Sequence, residues 1–124
     1  MARLNSITSA YSEIVAFTTK DGSTIRELMH PEHHSAEKQS LAEAIVPVGT
    51  TTLLHQHHKT EEFYHILEGE GEMVLGEKLF TVKPGDTVCI KPHTPHQITA
   101  TGDQDLRFLC CCSPAYSHED TELL

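Results

Sequence analysis

An all-β fold, either an antiparallel barrel or a jelly roll, is predicted by three features of this sequence. Short runs of alternating apolar and polar residues recur along the chain, which is typical of strands with one buried face. Clusters of Gly, Pro, Asp and Asn separate these runs at close intervals and supply turn conformations. Few segments have the spacing of an amphipathic helix, which disfavours an α/β domain.

The positions of these runs predict ten strands. The predicted strands are 13–17, 24–29, 41–46, 51–57, 62–67, 71–75, 79–82, 87–91, 96–100 and 105–112. The turn segments between them are 20–23, 47–49, 69–71, 76–78, 83–86 and 101–104. We expect an irregular segment over 30–40, and a short helix or a frayed end over 117–124.

Strand alternation predicts which side chains point into the barrel. If Arg107 faces solvent, Phe108, Cys110 and Cys112 face inward and form the floor of a cavity. The inward side chains predicted in the same way on other strands are Ala42, Ala44, Val46, Val88, Ile90, Ile98 and Ala100.

Charged residues on the early strands are less regular. Glu43 is expected on the outside of the barrel. Arg26 and Glu27 are adjacent, so alternation sends one of them inward unless a bulge or a barrel edge intervenes.

Length and charge limit the classes of function. The chain has 124 residues, 38% of them hydrophobic, and we expect one domain over 1–124, with 1–12 and 117–124 as flexible or dimer-contacting ends. A formal charge of −9 disfavours binding to nucleic acid and to anionic membranes, which both attract basic surfaces. Small molecules are therefore the expected partners.

The cysteines and the N-terminus indicate a cytoplasmic protein. Cys110, Cys111 and Cys112 are consecutive on a predicted strand, where neighbours point to opposite faces and are poorly placed for a disulfide. No apolar stretch of signal-peptide length follows the first residues. We expect reduced thiols that pack as small core residues, although an inward thiol near a metal could be ligated or oxidised.

Histidine spacing is the strongest functional signal. His55 and His57 are two residues apart and share one face of a strand, so both can bind one ion. A hairpin brings a carboxylate from the next strand, Glu61 or Glu62, and alternation alone does not choose between them. We favour Glu62, and His96 after a further hairpin adds a third imidazole.

Two segments resemble the signature motifs of the cupin superfamily. The first runs from Gly49 to Gly69, and the second runs from the Lys-Pro-Gly-Asp segment at 83–86 to Pro95-His96-Gln97. The resemblance implies a double-stranded β-helix barrel, commonly a homodimer, and it selects Glu62 because six residues separate it from Gly69. It also implies the metal ligands His55, His57, Glu62 and His96.

One departure from the second motif concerns the backbone. His93 stands where the family often has glycine, and glycine there would usually serve a positive φ. His93 at the barrel mouth could also carry a proton or be an extra ligand, but a solvent-exposed loop histidine is favoured. For His30, His33 and His34, a solvated loop is likewise favoured over a second metal site.

The predicted donor set, three imidazoles and one carboxylate, suits a divalent transition metal: iron, manganese, nickel, copper, cobalt or zinc. In an octahedral ion, four protein ligands leave two adjacent open positions. This favours a dioxygenase-type oxidoreductase acting on a small oxygenated or aromatic molecule. The alternatives are a non-redox isomerase, epimerase or lyase, and a non-catalytic binding module. Tyr64, on the face of Glu62, is the candidate catalytic residue, although a buried core tyrosine is the more ordinary interpretation.

Overall fold

Two antiparallel β-sheets make up the computed structural model of the protein, which describes residues 6–124. The six-stranded sheet has the order β1-β2-β3-β10-β5-β8. Its strands are β1 (Phe17–Thr18), β2 (Thr24–Met29), β3 (Ser40–Val46), β5 (Glu61–Glu68), β8 (Thr87–Ile90) and β10 (Leu106–Ser113). The strands alternate buried and less buried residues, most clearly in β10.

The second sheet has five strands in the order β11-β4-β9-β6-β7. Its strands are β4 (His55–His57), β6 (Glu70–Leu75), β7 (Lys78–Val82), β9 (His96–Thr101) and β11 (Thr121–Leu123). The predicted all-β jelly roll is confirmed. None of the helices among residues 6–124 has the length and apolar character needed to cross a membrane.

A glycine makes the tight connection between the two sheets at the end of β5. Gly69 has φ +82°, in the left-handed region that glycine favours, and a Cβ there would lie 2.5 Å from the carbonyl oxygen of Asp105. This is the closing glycine of the first motif. No larger residue fits without moving the backbone of the Asp105–Leu106 segment.

The core lies between the sheets and contains the side chains that alternation placed inside. Phe108 is 1% exposed, and its ring lies 4.5 Å from that of Tyr64, centroid to centroid. The other members of the core cluster are Ala42, Ala44, Val46, Ile66, Met73, Val82, Val88, Ile90, Ile98, Ala100, Leu106 and Cys110. The inward orientation predicted for β3, β8, β9 and β10 is therefore confirmed.

Three predicted elements differ from the structure. Residues 13–17 do not form a strand: a 3₁₀ helix covers Tyr11–Glu13, and only β1 pairs with the edge of β2. The strand predicted over 51–57 is shortened to β4, because the Thr52 hydroxyl and carbonyl accept hydrogen bonds from Ile98 and the Gln97 side chain. The C-terminal residues, expected as a helix or a frayed end, form β11, which pairs with β4.

Glu43 is on the outer face of β3 but is not solvated as expected, since only 3% of it is exposed. The Tyr11 hydroxyl and the Arg26 guanidinium donate to its Oε1, at 2.6 and 3.3 Å, and Arg107 donates to Oε2 at 3.0 Å. Burial raises the pKa of Glu43, but these donors lower it by more, so the net shift is downward. Tyr11 of the N-terminal segment therefore joins the two arginines in pairing the buried Glu43 carboxylate.

Candidate metal centre

The three predicted histidine ligands converge between the sheets. His55 and His57 lie on β4, and His96 begins the neighbouring β9, where it pairs directly with His55. One ring nitrogen from each lies within 4.8 Å of the others, and all three residues are buried. Among residues 6–124 this is the one group of three or more His, Cys, Asp or Glu side chains close enough to hold a metal ion.

The outer ring nitrogens of the histidines are all engaged, which fixes the rings. Nδ1 of His55 lies 2.8 Å from the Leu53 carbonyl, and Nδ1 of His96 lies 2.9 Å from the Thr94 carbonyl. A carbonyl only accepts hydrogen bonds, so each Nδ1 carries the proton and each Nε2 presents a lone pair. Two imidazoles are thereby fixed with Nε2 available to bind a metal.

His57 is oriented from the last strand. Its Nδ1 lies 2.9 Å from the Thr121 hydroxyl, and that hydroxyl donates its own proton to the Ser117 carbonyl at 2.9 Å. The Thr121 oxygen therefore accepts from His57 Nδ1–H, which leaves Nε2 as the free donor atom. On the other side of the strand, the His93 backbone N–H donates to the His57 carbonyl at 2.7 Å.

Glu62 approaches the histidines from the opposite sheet. Its Oε1 lies 3.2 Å from His57 Nε2 and 3.7 Å from His96 Nε2, and its Oε2 accepts a hydrogen bond from the Cys112 thiol at 3.3 Å. Burial raises the pKa of Glu62, but its interactions with His57 and His96 lower it by more, so the carboxyl is ionised. Burial also lowers the pKa of His55, with His96 as the next cause, which favours the neutral form that binds metals.

Three buried polar atoms that lack hydrogen-bond partners indicate that the histidines and Glu62 fit a cation. His57 Nε2, His96 Nε2 and Glu62 Oε1 are buried and have no hydrogen-bond partner among the described residues. Buried polar atoms are rarely left without a partner, and the three lone pairs face one another. A divalent metal at their centre would satisfy all of them at once.

A cavity, here called the metal cavity, is lined by His55, His57 and Glu62. Its volume is about 30 Å³, more than the ~10–15 Å³ that one water molecule needs. Tyr64 lines it and is 3% exposed, with its ring 6.1 Å from that of His96. Burial raises the pKa of Tyr64 well above its usual range, so the phenol stays protonated.

Several cavity residues were not singled out by the sequence analysis. Asp21 Oδ2 lies 3.7 Å from His55 Nε2, and Glu27 and Tyr116 line other parts of the wall. Asp21 occurs in a turn, where aspartate is ordinary, so its sequence context carries no functional signal. Glu27 has a weak signal, because alternation required either Arg26 or Glu27 to point inward.

Two further histidine segments were singled out in the sequence, one at His93 and one at His30 to His34. His93 has φ 63°, the one non-glycine with positive φ among the described residues, as the departure from the glycine motif suggested. The loop of His30 and His34 is not solvated as expected, because both are buried. His30 Nε2 lies 2.8 Å from the Tyr116 carbonyl, which packs this loop against the C-terminal segment.

Two facing antiparallel sheets with three convergent histidines define a jelly-roll barrel with a candidate metal site. A family model described as a cupin domain matches residues 42–112, and the chain belongs to this family. The match extends from β3 to the end of β10, so it includes both histidine segments. The resemblance inferred from the two motifs is thereby confirmed.

Known proteins agree with this assignment. The uncharacterized protein MJ1618 of Methanocaldococcus jannaschii is 55% identical over 124 residues, which cover 100% of this chain and 99% of that protein. An oxalate-binding protein of Thermotoga maritima is 33% identical over 84 residues, or 68% of this chain and 65% of that protein. The structure of oxalate decarboxylase from Bacillus subtilis has a TM-score of 0.82 at 20% identity, covering 97% of this chain and 32% of that one, which shows a shared fold.

Thr121→Val should weaken metal binding by about tenfold or more, because His57 loses the acceptor that orients its ring. The affinity can be measured by competition with a chelator of known strength. Thr81→Val, at an exposed position on β7, is the matched control and should leave the affinity unchanged. Equal affinities for Thr121→Val and the unmodified protein would contradict an orienting role for this hydroxyl.

Proposed function

We propose that this cupin is a metal-dependent oxidoreductase of dioxygenase type that acts on a small oxygenated molecule. His55, His57, Glu62 and His96 are the proposed ligands. The observation that carries the proposal is the convergence of three buried, unpartnered donor atoms beside a cavity. A transition metal held there would supply Lewis acidity and, for iron, copper or manganese, redox chemistry.

The chain's own residues have separate tasks in this proposal. The acceptors at Leu53, Thr94 and Thr121 hold the imidazoles in one tautomer and orientation. Tyr64 is the proposed catalytic residue, since its protonated phenol lines the cavity and can donate a hydrogen bond to a bound oxygen.

A small carboxylic acid is the proposed class of substrate. Oxalate is the first candidate to test, because one relative is described as an oxalate-binding protein.

A non-redox isomerase or lyase is the second candidate. It is favoured by Glu27 in the cavity wall, because burial raises the pKa of this carboxyl to about 7 and leaves a proton available for transfer near neutral pH. Such a reaction would proceed without dioxygen and would tolerate zinc.

Metal analysis together with oxygen uptake tests the proposal. The full chain, purified without chelator or affinity metal, should contain about one transition-metal ion and should consume dioxygen when oxalate or a related small acid is added. Iron, copper or manganese with substrate-dependent uptake supports the oxidoreductase. Zinc or nickel without oxygen uptake supports the second candidate, and a metal-free chain that binds no added metal contradicts both.

A further inference from the structure

A second cavity, here called the outer cavity, lies beside β2 on the side of the N-terminal segment. Its volume is about 400 Å³. Residues between Ser6 and Phe17 form one wall, and Glu27, His33 and His34 contribute to the other. None of the proposed metal ligands lines it.

Glu27 is the structural link between the two cavities. Among the described residues it alone lines both the metal cavity and the outer cavity. Its side chain is 9% exposed, and its Oε1 is buried with no hydrogen-bond partner among those residues. A buried carboxyl oxygen without a partner is costly in a folded protein, so a role in binding or proton transfer would explain it.

The nearest base does not form a hydrogen bond with this carboxyl. His30 Nε2 is 3.9 Å from Glu27 Oε2, which is beyond hydrogen-bond distance, and it lies 2.8 Å from the Tyr116 carbonyl instead. His30 Nδ1 accepts from the Glu32 backbone N–H at 3.0 Å, so the single imidazole proton is on Nε2. Both ring nitrogens of His30 are therefore engaged by backbone groups.

Burial and two nearby carboxylates favour the protonated form of Glu27. Burial is the largest cause and raises the pKa of Glu27 to about 7, with His30 lowering it and Glu32 and Glu62 raising it further. The thiols of Cys110 and Cys112 face the same cavity, and burial raises the pKa of both. The remaining titratable groups on the walls of the two cavities are Glu13, Asp21, His33, His34, His55, His57, Tyr64 and Tyr116.

We propose that Glu27 carries protons between the outer cavity and a ligand held in the metal cavity. This inference rests on the proposed function, since it assumes a ligand beside the histidines. It applies to an oxygen-bearing ligand, such as a small carboxylic acid, whose oxygen faces β2. In the transfer, the O–H bond of Glu27 breaks as its proton bonds to the ligand oxygen. The resulting carboxylate then takes a proton from hydronium that enters the outer cavity from solvent, which leaves water.

The first test observes the carboxyl directly. It uses zinc-loaded full chain labelled with ¹³C in the glutamate carboxyls, compared with Glu27→Gln and with Glu72→Gln, an exposed control on β6. In an NMR titration, one carboxyl resonance should titrate near pH 7 in the unmodified protein and the control, and it should be absent from Glu27→Gln. A resonance of Glu27 that titrates at the ordinary value instead would overturn the proposal.

The second test measures proton uptake with oxalate as the probe. Above about pH 7, binding to the unmodified protein should weaken by up to about tenfold per pH unit, because Glu27 must first regain its proton. Calorimetry in buffers of different ionisation enthalpy should show this uptake. Glu27→Gln should show neither effect, and Glu27→Asp should recover part of both.

The outcomes separate this inference from the proposed function. The same pH dependence in Glu27→Gln as in the unmodified protein would refute the proton carrier. Failure of the zinc-loaded protein to bind oxalate at any pH would instead count against the proposed function. In that case the inference is still overturned if the Glu27 resonance titrates at the ordinary value.

Protein stability gives an independent check with a definite sign. Folding raises the pKa of Glu27 from 4.5 to about 7. The protonated Glu27 side chain therefore makes its full contribution to the free energy of unfolding below pH 4.5. That contribution is lost as the pH rises through about 7. In Glu27→Gln this decline should be absent, whereas Glu72→Gln should retain it.

Discussion

Alanine at His57 or His96 should remove most of the metal from the protein and weaken metal affinity by more than about 100-fold. Each substitution deletes one of the three donor nitrogens that converge within 4.8 Å, whereas loss of an indirect partner typically costs about 10–100-fold. Elemental analysis of the purified variants and titration with a metal-sensitive chelator measure the two effects.

Two neighbouring residues provide matched controls. His58 follows His57 directly but is half exposed, with Nε2 3.3 Å from Glu122, and Glu61 precedes Glu62 but pairs with Lys91 at 3.1 Å. Alanine at either position should leave the metal content unchanged. Full metal content in His57→Ala and His96→Ala, or equal losses in the controls, would show that the ion binds elsewhere.

Phe108→Ala should lower the free energy of unfolding by about 3–5 kcal/mol, the usual cost of truncating a fully buried aromatic ring. Phe108 is 1% exposed, and it packs against Tyr64 while also lining the metal cavity. Urea denaturation of the metal-free protein measures the change without a contribution from metal binding.

Phe63→Ala is the comparison for Phe108→Ala. Phe63 lies next to Tyr64 on β5 but is 44% exposed, so its truncation should cost less than about 1 kcal/mol. A small loss at Phe108, or equal losses at the two positions, would contradict the packing described for the core. We also expect Phe108→Ala to enlarge the metal cavity from its floor.

Much of the fold follows from local sequence patterns. Alternation on β10 placed Phe108 and Cys110 inside, and the turn segments separated most strands correctly, because each depends on residues close in the chain. The 3₁₀ helix at Tyr11–Glu13 was missed, since strand formation there required a partner edge, which β2 offers only over β1. The strand propensity of a segment does not show whether a partner strand has a free edge to pair with.

The candidate site was also predicted only in part from the sequence. The spacing of His55, His57 and His96 identified the convergent imidazoles, and the structure brings Glu62 beside them. The partner of His57 could not be predicted, because Thr121 is 64 positions away and reaches the ring only through the pairing of β11 with β4. The burial of Glu43 was missed for a similar reason, since it depends on Tyr11 and Arg107 from distant segments.

The placement of the proposed ligands on different sheets has a consequence for local opening of the protein. The histidines belong to the five-stranded sheet and Glu62 to the six-stranded sheet, so an ion bound by all four would join the two sheets at the centre of the barrel. Separation of the sheets would then require release of the ion, which suppresses partial unfolding in proportion to metal affinity. Amide hydrogens of β5 and β9 should consequently exchange with solvent only through global unfolding when metal is bound, and through smaller openings once it is removed.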